Sequence, residues 1–536
     1  MSQSVYLKQN VLAEPLFNQW YAWPYLIPPV SAAMYVANAH LKMMESFVAA
    51  PQVHVAALKN PAMLGGPFLN YGPDKVGEVR ELLQTTKEEQ APQLELAAAV
   101  KGLEEMLAAE ADGYSLEPFY ERVPEPLRGY VELVYDLNDH PAVRFIEGLL
   151  YRSRYYNEAS QSVLLSEATC DGRPFVFSTP RLRSDGGLYL NVPFRHEGLD
   201  ELFSMKSAPK PCGRARELLG VSAADEPLFS TLFTEEAPAP APRFEGDGLR
   251  VRYLGHACVL LEARGVSILC DPLVSYKYDG GMSRYTFADL PETIDYVLLT
   301  HNHQDHVMFE TLLQLRHKTR NVIIPASAGG DRIDPSLKRI LHAVGFRQVY
   351  ETAGLEPIPI DGGHIMGLPF LGEHADLDIR TKTAYHVNLA GRSVVMAADS
   401  NNLEPRLYEH IHELVGDVDL LLLGMECDGA PMSWLYGPLL TRPLTRKNDQ
   451  SRRFSGSTYD KAVLIVDRLG PKQVYVYAMG REPWCTFLTS LQYTDESRPI
   501  VHSNRLVEEC RRRGITAELL YGHKEVHLGR AAGGAR

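Results

Sequence analysis

The sequence predicts an α/β protein in two parts, a mixed α+β unit over residues 1–243 and a strand-rich α/β unit over residues 244–536. Three observations carry that reading. The stretch Glu235-Glu-Ala-Pro-Ala-Pro-Ala-Pro-Arg243 alternates Ala and Pro, which favours an extended, semi-rigid connection. Soon after it come three short apolar runs, Leu249–Leu254, Ala257–Ala263 and Val266–Cys270, ending at Asp271-Pro272. Beyond residue 306, strand-like and helix-like stretches alternate. A chain of 536 residues also exceeds one typical domain.

Taken in order, Ser31–Val48 starts with a cap-type serine after two prolines and reads as a helix, apolar around much of its circumference and so expected to be buried or at an interface. Lys75–Glu110 reads as two helices broken at Pro92. Val163–Val192 carries β-branched and aromatic runs punctuated by Asp171-Gly172 and Asp185-Gly186, a hairpin pattern. Trp20, Tyr21, Trp23 and Tyr25 are expected in the core, with a substrate or partner surface as the lesser reading. In the second unit, Tyr296–Thr300 is a buried strand. Asn321–Pro325 and Gln348–Glu351 are short strands around a helix near Pro335–Val344. Thr383–Leu389 and Ser393–Ala397 form a hairpin through Ala390-Gly391-Arg392. Val418–Leu423 and Gln473–Tyr477 are buried strands joined through a helix at Thr458–Leu469.

Hydrophobic residues make up 45% of the chain, enough for proper cores, and the formal net charge of −13 argues against a nucleic-acid partner. The seven cysteines are odd in number and scattered without a Cys-x-x-Cys, which fits free thiols in a reducing compartment. No basic region precedes an apolar core at the N-terminus, and no apolar run reaches membrane-spanning length; Pro24, Pro28 and Pro29 break the longest candidate. A cytoplasmic location with no membrane partner is expected.

The stretch that organises the second unit is Tyr296-Val-Leu-Leu-Thr-His-Asn-His-Gln-Asp-His306. His301 and His303 lie two apart after a strand, so an extended backbone points both imidazoles the same way. Asp305 and His306 follow where the chain turns and can face a second metal beside the first. Nitrogen and carboxylate donors together suit zinc, iron or manganese.

This loop resembles the His-x-His-x-Asp-His signature of the metallo-β-lactamase superfamily, and the likeness runs from about Leu249 to the C-terminus. It implies an αββα sandwich, two β-sheets with helices on both outer faces, and a two-metal site at one edge. It also implies a bridging aspartate at a strand end, which Asp399 supplies, and an orienting role for Asp271. His256 belongs to the pattern as a structural or supporting residue. Superfamily hydrolases use a further histidine between the loop and this aspartate. Here Glu373 or His374 could serve, since neighbours on a strand point oppositely, with His364 a weaker candidate. A last histidine, usual at a late strand end, is missing from Val474–Trp484, and neither His502 nor His523 sits there.

With the long N-terminal unit, these departures make the chain similar to a narrower family, the CmlA-type diiron β-hydroxylases of chloramphenicol biosynthesis. The resemblance takes in His301–His306, Gly372-Glu-His374, Ala398-Asp399 and Gly424-Met-Glu426. It implies a glutamate ligand in place of histidine and so selects Glu373. One iron would be held by His301, His303, Glu373 and Asp399, the other by Asp305, His306 and the shared Asp399, with Glu426 beside them in the catalytic site. The implied cofactors are two iron ions with O2 as co-substrate, zinc being possible as an adventitious metal. The implied reaction is monooxygenation of the β-carbon of an aminoacyl group on a nonribosomal peptide synthetase carrier domain, in a homodimer fed by an external electron donor. The basic stretch Arg442, Arg446, Lys447, Arg452 and Arg453 could meet an acidic carrier, although a solvated loop is the preferred reading. The alternative activity is that of a metal-dependent hydrolase of the superfamily.

Overall fold

A computed structural model describes residues 4–239, 241, 244–278 and 282–529. The expected division between residues 243 and 244 falls at Arg243, outside the described residues.

Two seven-stranded sheets dominate the second unit among the described residues. The first runs Val349–Thr352, Thr319–Pro325, Ile294–Leu298, Val266–Cys270, Cys258–Ala263, Leu249–Gly255 and Lys524–Leu528. The second runs Pro357–Ile360, Gly363–Leu368, Ala384–Leu389, Arg392–Met396, Leu420–Gly424, Gln473–Tyr477 and Thr516–Leu519. Each is antiparallel at one side and parallel at the other. The central parallel strand Leu420-Leu-Leu-Leu-Gly424 is buried on both faces, which explains its unbroken apolar sequence.

The sheets face each other across a dry layer that includes Val251, Leu261, Ile268, Leu298, Val387, Val394, Leu422 and Tyr477. Helices Tyr459–Leu469 and Arg498–Arg512 cover the outside of the second sheet. Phe309–Leu315 and Leu337–Ala343 cover the outside of the first. The predicted αββα sandwich is therefore present. The predicted hairpin at 390–392 is the two-residue type: Leu389 pairs with Arg392, and Ala390 and Gly391 both adopt positive φ, at 53° and 72°.

The N-terminal unit buries its apolar face on the helix layer of the first sheet, so one hydrophobic core runs through both units. Its helix at Ser31–Val48 is a run from Pro29 to Ala49 with a π-helical turn at Val36–His40. The two following helices, Val76–Glu89 and Ala91–Glu110, break where Pro92 enters the first turn of the second. Trp20, Tyr21, Trp23 and Tyr25 are all buried.

Within Val163–Val192 the strands Gln161–Glu167 and Leu188–Leu190 do pair antiparallel, but through a long irregular excursion and not through tight turns at Asp171-Gly172 or Asp185-Gly186; Gln161–Glu167 also pairs with Val11–Phe17. Both Asp-Gly sites do other work. Asp171 accepts two hydrogen bonds from the Arg284 guanidinium, at 2.6 and 2.9 Å, and Asp185 accepts the Leu182 N–H in a short 3-10 turn.

Candidate metal centre

Most of the predicted site residues sit just past the carboxyl end of a strand, Glu373 lying in the longer segment between Gly363–Leu368 and Ala384–Leu389. Asp271 follows Val266–Cys270, His301 follows Ile294–Leu298, Asp399 follows Arg392–Met396, and Glu426 follows Leu420–Gly424. The two sheets thus bring their strand ends to one edge, where backbone no longer paired in a ladder can carry side chains inward. Strain gathers there as well: His256, Asp271, Glu373 and Ala398 adopt left-handed backbone with φ between 40° and 67°. Each such non-glycine residue costs about 1 kcal/mol or more, offset by the surrounding packing.

The donors converge. His301 Nε2 lies 3.1 Å from His303 Nδ1, and His303 Nδ1 lies 3.1 Å from Glu373 Oε1. His306 Nε2 is 3.1 Å from Asp399 Oδ2, and His301 Nε2 is 3.7 Å from the same oxygen. Two atoms bound about 2.1 Å from one ion stand about 3.0–3.4 Å apart, so these spacings are those of shared ligands. Three overlapping groups result: His301–His303–Glu373, His301–His306–Asp399, and His256–Asp305–His306. His306 Nε2, Glu373 Oε2 and Asp399 Oδ1 are buried with no hydrogen-bond partner among the described residues, a costly arrangement that a cation relieves. The donor set therefore fits two metal ions.

Electrostatics agree. Burial works against a charged His306, but Asp399 and Asp271 outweigh it and raise its pKa well above the usual value. Burial, then the neighbouring His306 and His303, drive His301 well below it. Burial would raise Asp305, yet His256 and His306 lower it. Burial raises Glu373, against the pull of His303. These opposed shifts mark a pocket short of fixed positive charge at its carboxylates and intolerant of protons on its central imidazole.

Supporting residues orient the donors. Asp271 is fully buried; it accepts the Thr300 N–H at 2.8 Å and the Thr300 hydroxyl at 2.6 Å, and lies 2.8 Å from His306 Nδ1. This is the orienting role expected of it. His256 Nδ1 accepts the Gly480 N–H at 3.1 Å, which leaves its proton on Nε2, 3.2 Å from Asp305 Oδ2. His256 Nε2 thus faces Asp305 across 3.2 Å without completing a hydrogen bond.

The strand argument that allowed only one of Glu373 and His374 to face inward does not apply, because the segment between Gly363–Leu368 and Ala384–Leu389 is irregular. Both side chains reach the site: His374 Nδ1 lies 3.1 Å from the Tyr436 hydroxyl, which is itself 3.1 Å from His303 Nε2. Tyr436 was not legible in the sequence as a site residue. The weaker candidate His364 lies on the strand Gly363–Leu368, paired across from Asn388, and His502 accepts the Tyr459 N–H; neither joins the metal groups.

Glu426 is not in the three groups either. It lines the adjoining cavity of about 490 Å³, together with Asp305, Glu373 and Asp399. Its carboxylate accepts the N–H groups of Asp428 and Gly429, each at 3.0 Å, and the Tyr493 hydroxyl. Burial raises its pKa despite these bonds. Where a late-strand histidine was missing, Ala478, Met479 and Gly480 form the wall. A second cavity of about 650 Å³, lined by Trp23, Tyr35, Phe68, Phe175, Phe177 and Trp434, adjoins the first across Gln304 and Leu435. The basic stretch is partly structural: Arg452 donates to the Ala375 carbonyl at 2.8 Å, and Arg453 donates to the carbonyls of Asp428 and Gly429 at 2.8 and 2.5 Å.

An αββα sandwich with this His/Asp/Glu pocket at its strand ends defines a metal-binding protein of the metallo-β-lactamase fold. Residues 250–425 match the model of the β-lactamase superfamily domain, and residues 6–238 match the diiron non-heme β-hydroxylase N-terminal domain. The chain is 41% identical, over 97% of its own length and 99% of the relative's, to the 4-amino-L-phenylalanyl-[CmlP-peptidyl-carrier-protein] 3-hydroxylase of Streptomyces venezuelae. It is similar to the crystal structure of CmlA, a diiron β-hydroxylase from Streptomyces venezuelae, with a TM-score of 0.93 and 38% identity over 98% of this chain and 100% of that one. A Glu-to-Asp variant of the CmlA β-hydroxylase matches with a TM-score of 0.90 over the same shares. The chain belongs to the diiron non-heme β-hydroxylase family: it is an enzyme, and iron is the metal of its family. Among the described residues, no helix is long and apolar enough to cross a membrane.

Proposed function

We propose that this enzyme is an O2-dependent diiron monooxygenase that hydroxylates the β-carbon of an aminoacyl group tethered to a nonribosomal peptide synthetase carrier domain. The observation that carries the reading is the oxygen-rich donor set, with Glu373 beside His303 and no histidine among residues 478–480 at the late strand end, in a chain alike over nearly its full length to a carrier-protein 3-hydroxylase. In this reading His301, His303 and Glu373 hold one iron, Asp305 and His306 the other, and Asp399 reaches both. When bound, the irons supply activation of O2, one atom entering the C–H bond and the other leaving as water with two electrons from an external donor.

The chain's own residues position and protect. Thr300 and Asp271 fix the His306 ring, His256 faces Asp305, and Tyr436 packs the His303–His374 pair. The apolar cavity around Trp23 and Trp434 is suited to an aromatic side chain, excluding water beside the reacting carbon. Ser497 and the exposed Asp428 border the metal cavity on a side that suits entry of a pantetheine arm. The resemblance supports a homodimer, with residues 1–243 as the unit for dimerisation and substrate access and 244–536 as the catalytic unit.

The test is intact-mass analysis of aminoacyl-carrier proteins after reaction with iron-loaded, reduced enzyme and O2. A gain of one oxygen on the acyl group is expected. Release of the free acid would instead indicate a hydrolase and overturn the proposal.

A further inference from the structure

Glu426 is a partly buried carboxylate with an unusual set of partners. Among the described residues it makes no ion pair; its partners are two backbone N–H groups and the neutral Tyr493 hydroxyl. The other acidic side chains lining the same cavity are accounted for. Asp305, Glu373 and Asp399 belong to the metal groups, and Asp428 lies 2.9 Å from Arg498 Nη1. Among the described residues the cavity lining contains no lysine or arginine. The Glu426 backbone is itself held in place, its carbonyl accepting the Gly456 N–H at 2.6 Å. A carboxylate fixed at a cavity wall by three donors, with one lone-pair site still open and no counterion, is poised for a cation brought by a ligand.

We propose that Glu426 is the counterion of the substrate's α-ammonium group, so that the enzyme selects acyl chains with a free amine next to the thioester. This rests on the carrier-tethered aminoacyl reading above. The amine nitrogen and the β-carbon share the α-carbon and stand about 2.5 Å apart. The arm fixes the acyl group at its carbonyl end, and Glu426 fixes it at nitrogen. With both held, the β-carbon has few remaining orientations toward the metals, which is how positioning lowers a barrier. Tyr493 is a positioning residue that acts through Glu426.

The test loads the carrier with three acyl groups sharing one side chain: the free aminoacyl, its N-acetyl form and the des-amino acid. Single-turnover hydroxylation by iron-loaded enzyme is followed by intact mass. Binding of each acyl-carrier to oxidised, metal-loaded enzyme is followed by fluorescence anisotropy. The wild type should prefer the free amine over both analogues by about tenfold or more in binding, the range of a hydrogen bond to a charged group. Glu426→Gln should collapse that preference while elemental analysis still finds its metals. Equal binding of all three by the wild type, or a preference that survives Glu426→Gln, overturns the proposal. Failure of turnover with the binding preference intact would count against the hydroxylase reading and leave the amine site standing.

Discussion

The orienting aspartate offers the sharpest test of how the site is built. Asp271→Asn keeps the volume of a fully buried side chain but exchanges one carboxylate oxygen for an NH2 group. The remaining oxygen can still accept the Thr300 N–H at 2.8 Å. The NH2 then faces the Thr300 hydroxyl and His306 Nδ1, which now stand 2.6 and 2.8 Å from a carboxylate oxygen. A donor at that point demands an acceptor on Nδ1, so the neutral imidazole moves its proton to Nε2. That nitrogen is the one 3.1 Å from Asp399, facing the metals, and once protonated it has no lone pair to give. Loss of such an orienting partner costs about 10- to 100-fold in metal affinity, or about 1.4–2.7 kcal/mol. The assay is competitive titration of the metal-free chain with ferrous or cobaltous ion, with circular dichroism confirming the fold. Affinity within twofold of wild type would refute the tautomer argument.

Three further outcomes follow from the same structure. Asp399→Ala should reduce the bound metal from a pair of ions to at most one per chain by elemental analysis, because its carboxylate lies against both His301 and His306; an intact pair would refute the bridging role. Arg173→Met should destabilise by about 3–5 kcal/mol in urea unfolding, since it leaves the buried carboxylates of Glu310 and Glu14 without a shared cation now at 2.9 and 2.7 Å; a loss under about 1 kcal/mol would show the network to be incidental. Burial alone would raise Glu14, but Arg181 and Arg173 outweigh it and bring its pKa down from 4.5 to about 2. That lowered value stabilises the fold fully above about pH 4.5 and is lost as pH falls toward 2, about 3 kcal/mol in all. The stability gap between wild type and Arg181→Gln should therefore shrink over that window, and a gap independent of pH would refute it.

What the sequence made legible was the chemistry that local spacing controls. The loop His301–His306 places donors by strand alternation and a turn, and Asp399 ends a strand; both are short-range facts. The second sheet's edge was not legible. Pro357-Ile-Pro-Ile360 looks like a loop because proline cannot complete a ladder, yet it is an edge strand, where an absent N–H is tolerated. Val11–Phe17 was hidden for a related reason. Glu14 and Pro15 interrupt its apolar pattern, and only Arg173 and Arg181, more than 150 residues away, make a buried Glu14 acceptable. The Asp-Gly pairs misled because Asp171 serves a long-range partner, Arg284, and Asp185 closes a 3-10 turn and accepts the distant Tyr71 hydroxyl, neither making a hairpin turn. Tyr436 and Tyr493 lie 133 and 67 residues from His303 and Glu426, the side chains they touch, and tyrosine spacing alone carries no such information.

Those distant partners also explain why the N-terminal unit cannot be a passive appendage. The segment Met432–Leu439 forms a wall beside the metals and carries Tyr436 against His303. N-terminal residues hold it: the Tyr35 hydroxyl donates to the Leu435 carbonyl, Asn38 donates to the Pro438 carbonyl at 2.8 Å, and the Gly65 carbonyl accepts the Trp434 N–H at 3.0 Å. The helix that follows the metal loop is fixed from the same side, with Glu310 bound by Arg173 and Tyr21. Removing residues 1–238 would therefore strip hydrogen bonds from the wall and expose the buried face of Phe309–Leu315 at once. The N-terminal unit and the candidate metal site are joined through one continuous hydrophobic core, and a change that loosens the wall at Leu435 also loosens Tyr436 beside His303.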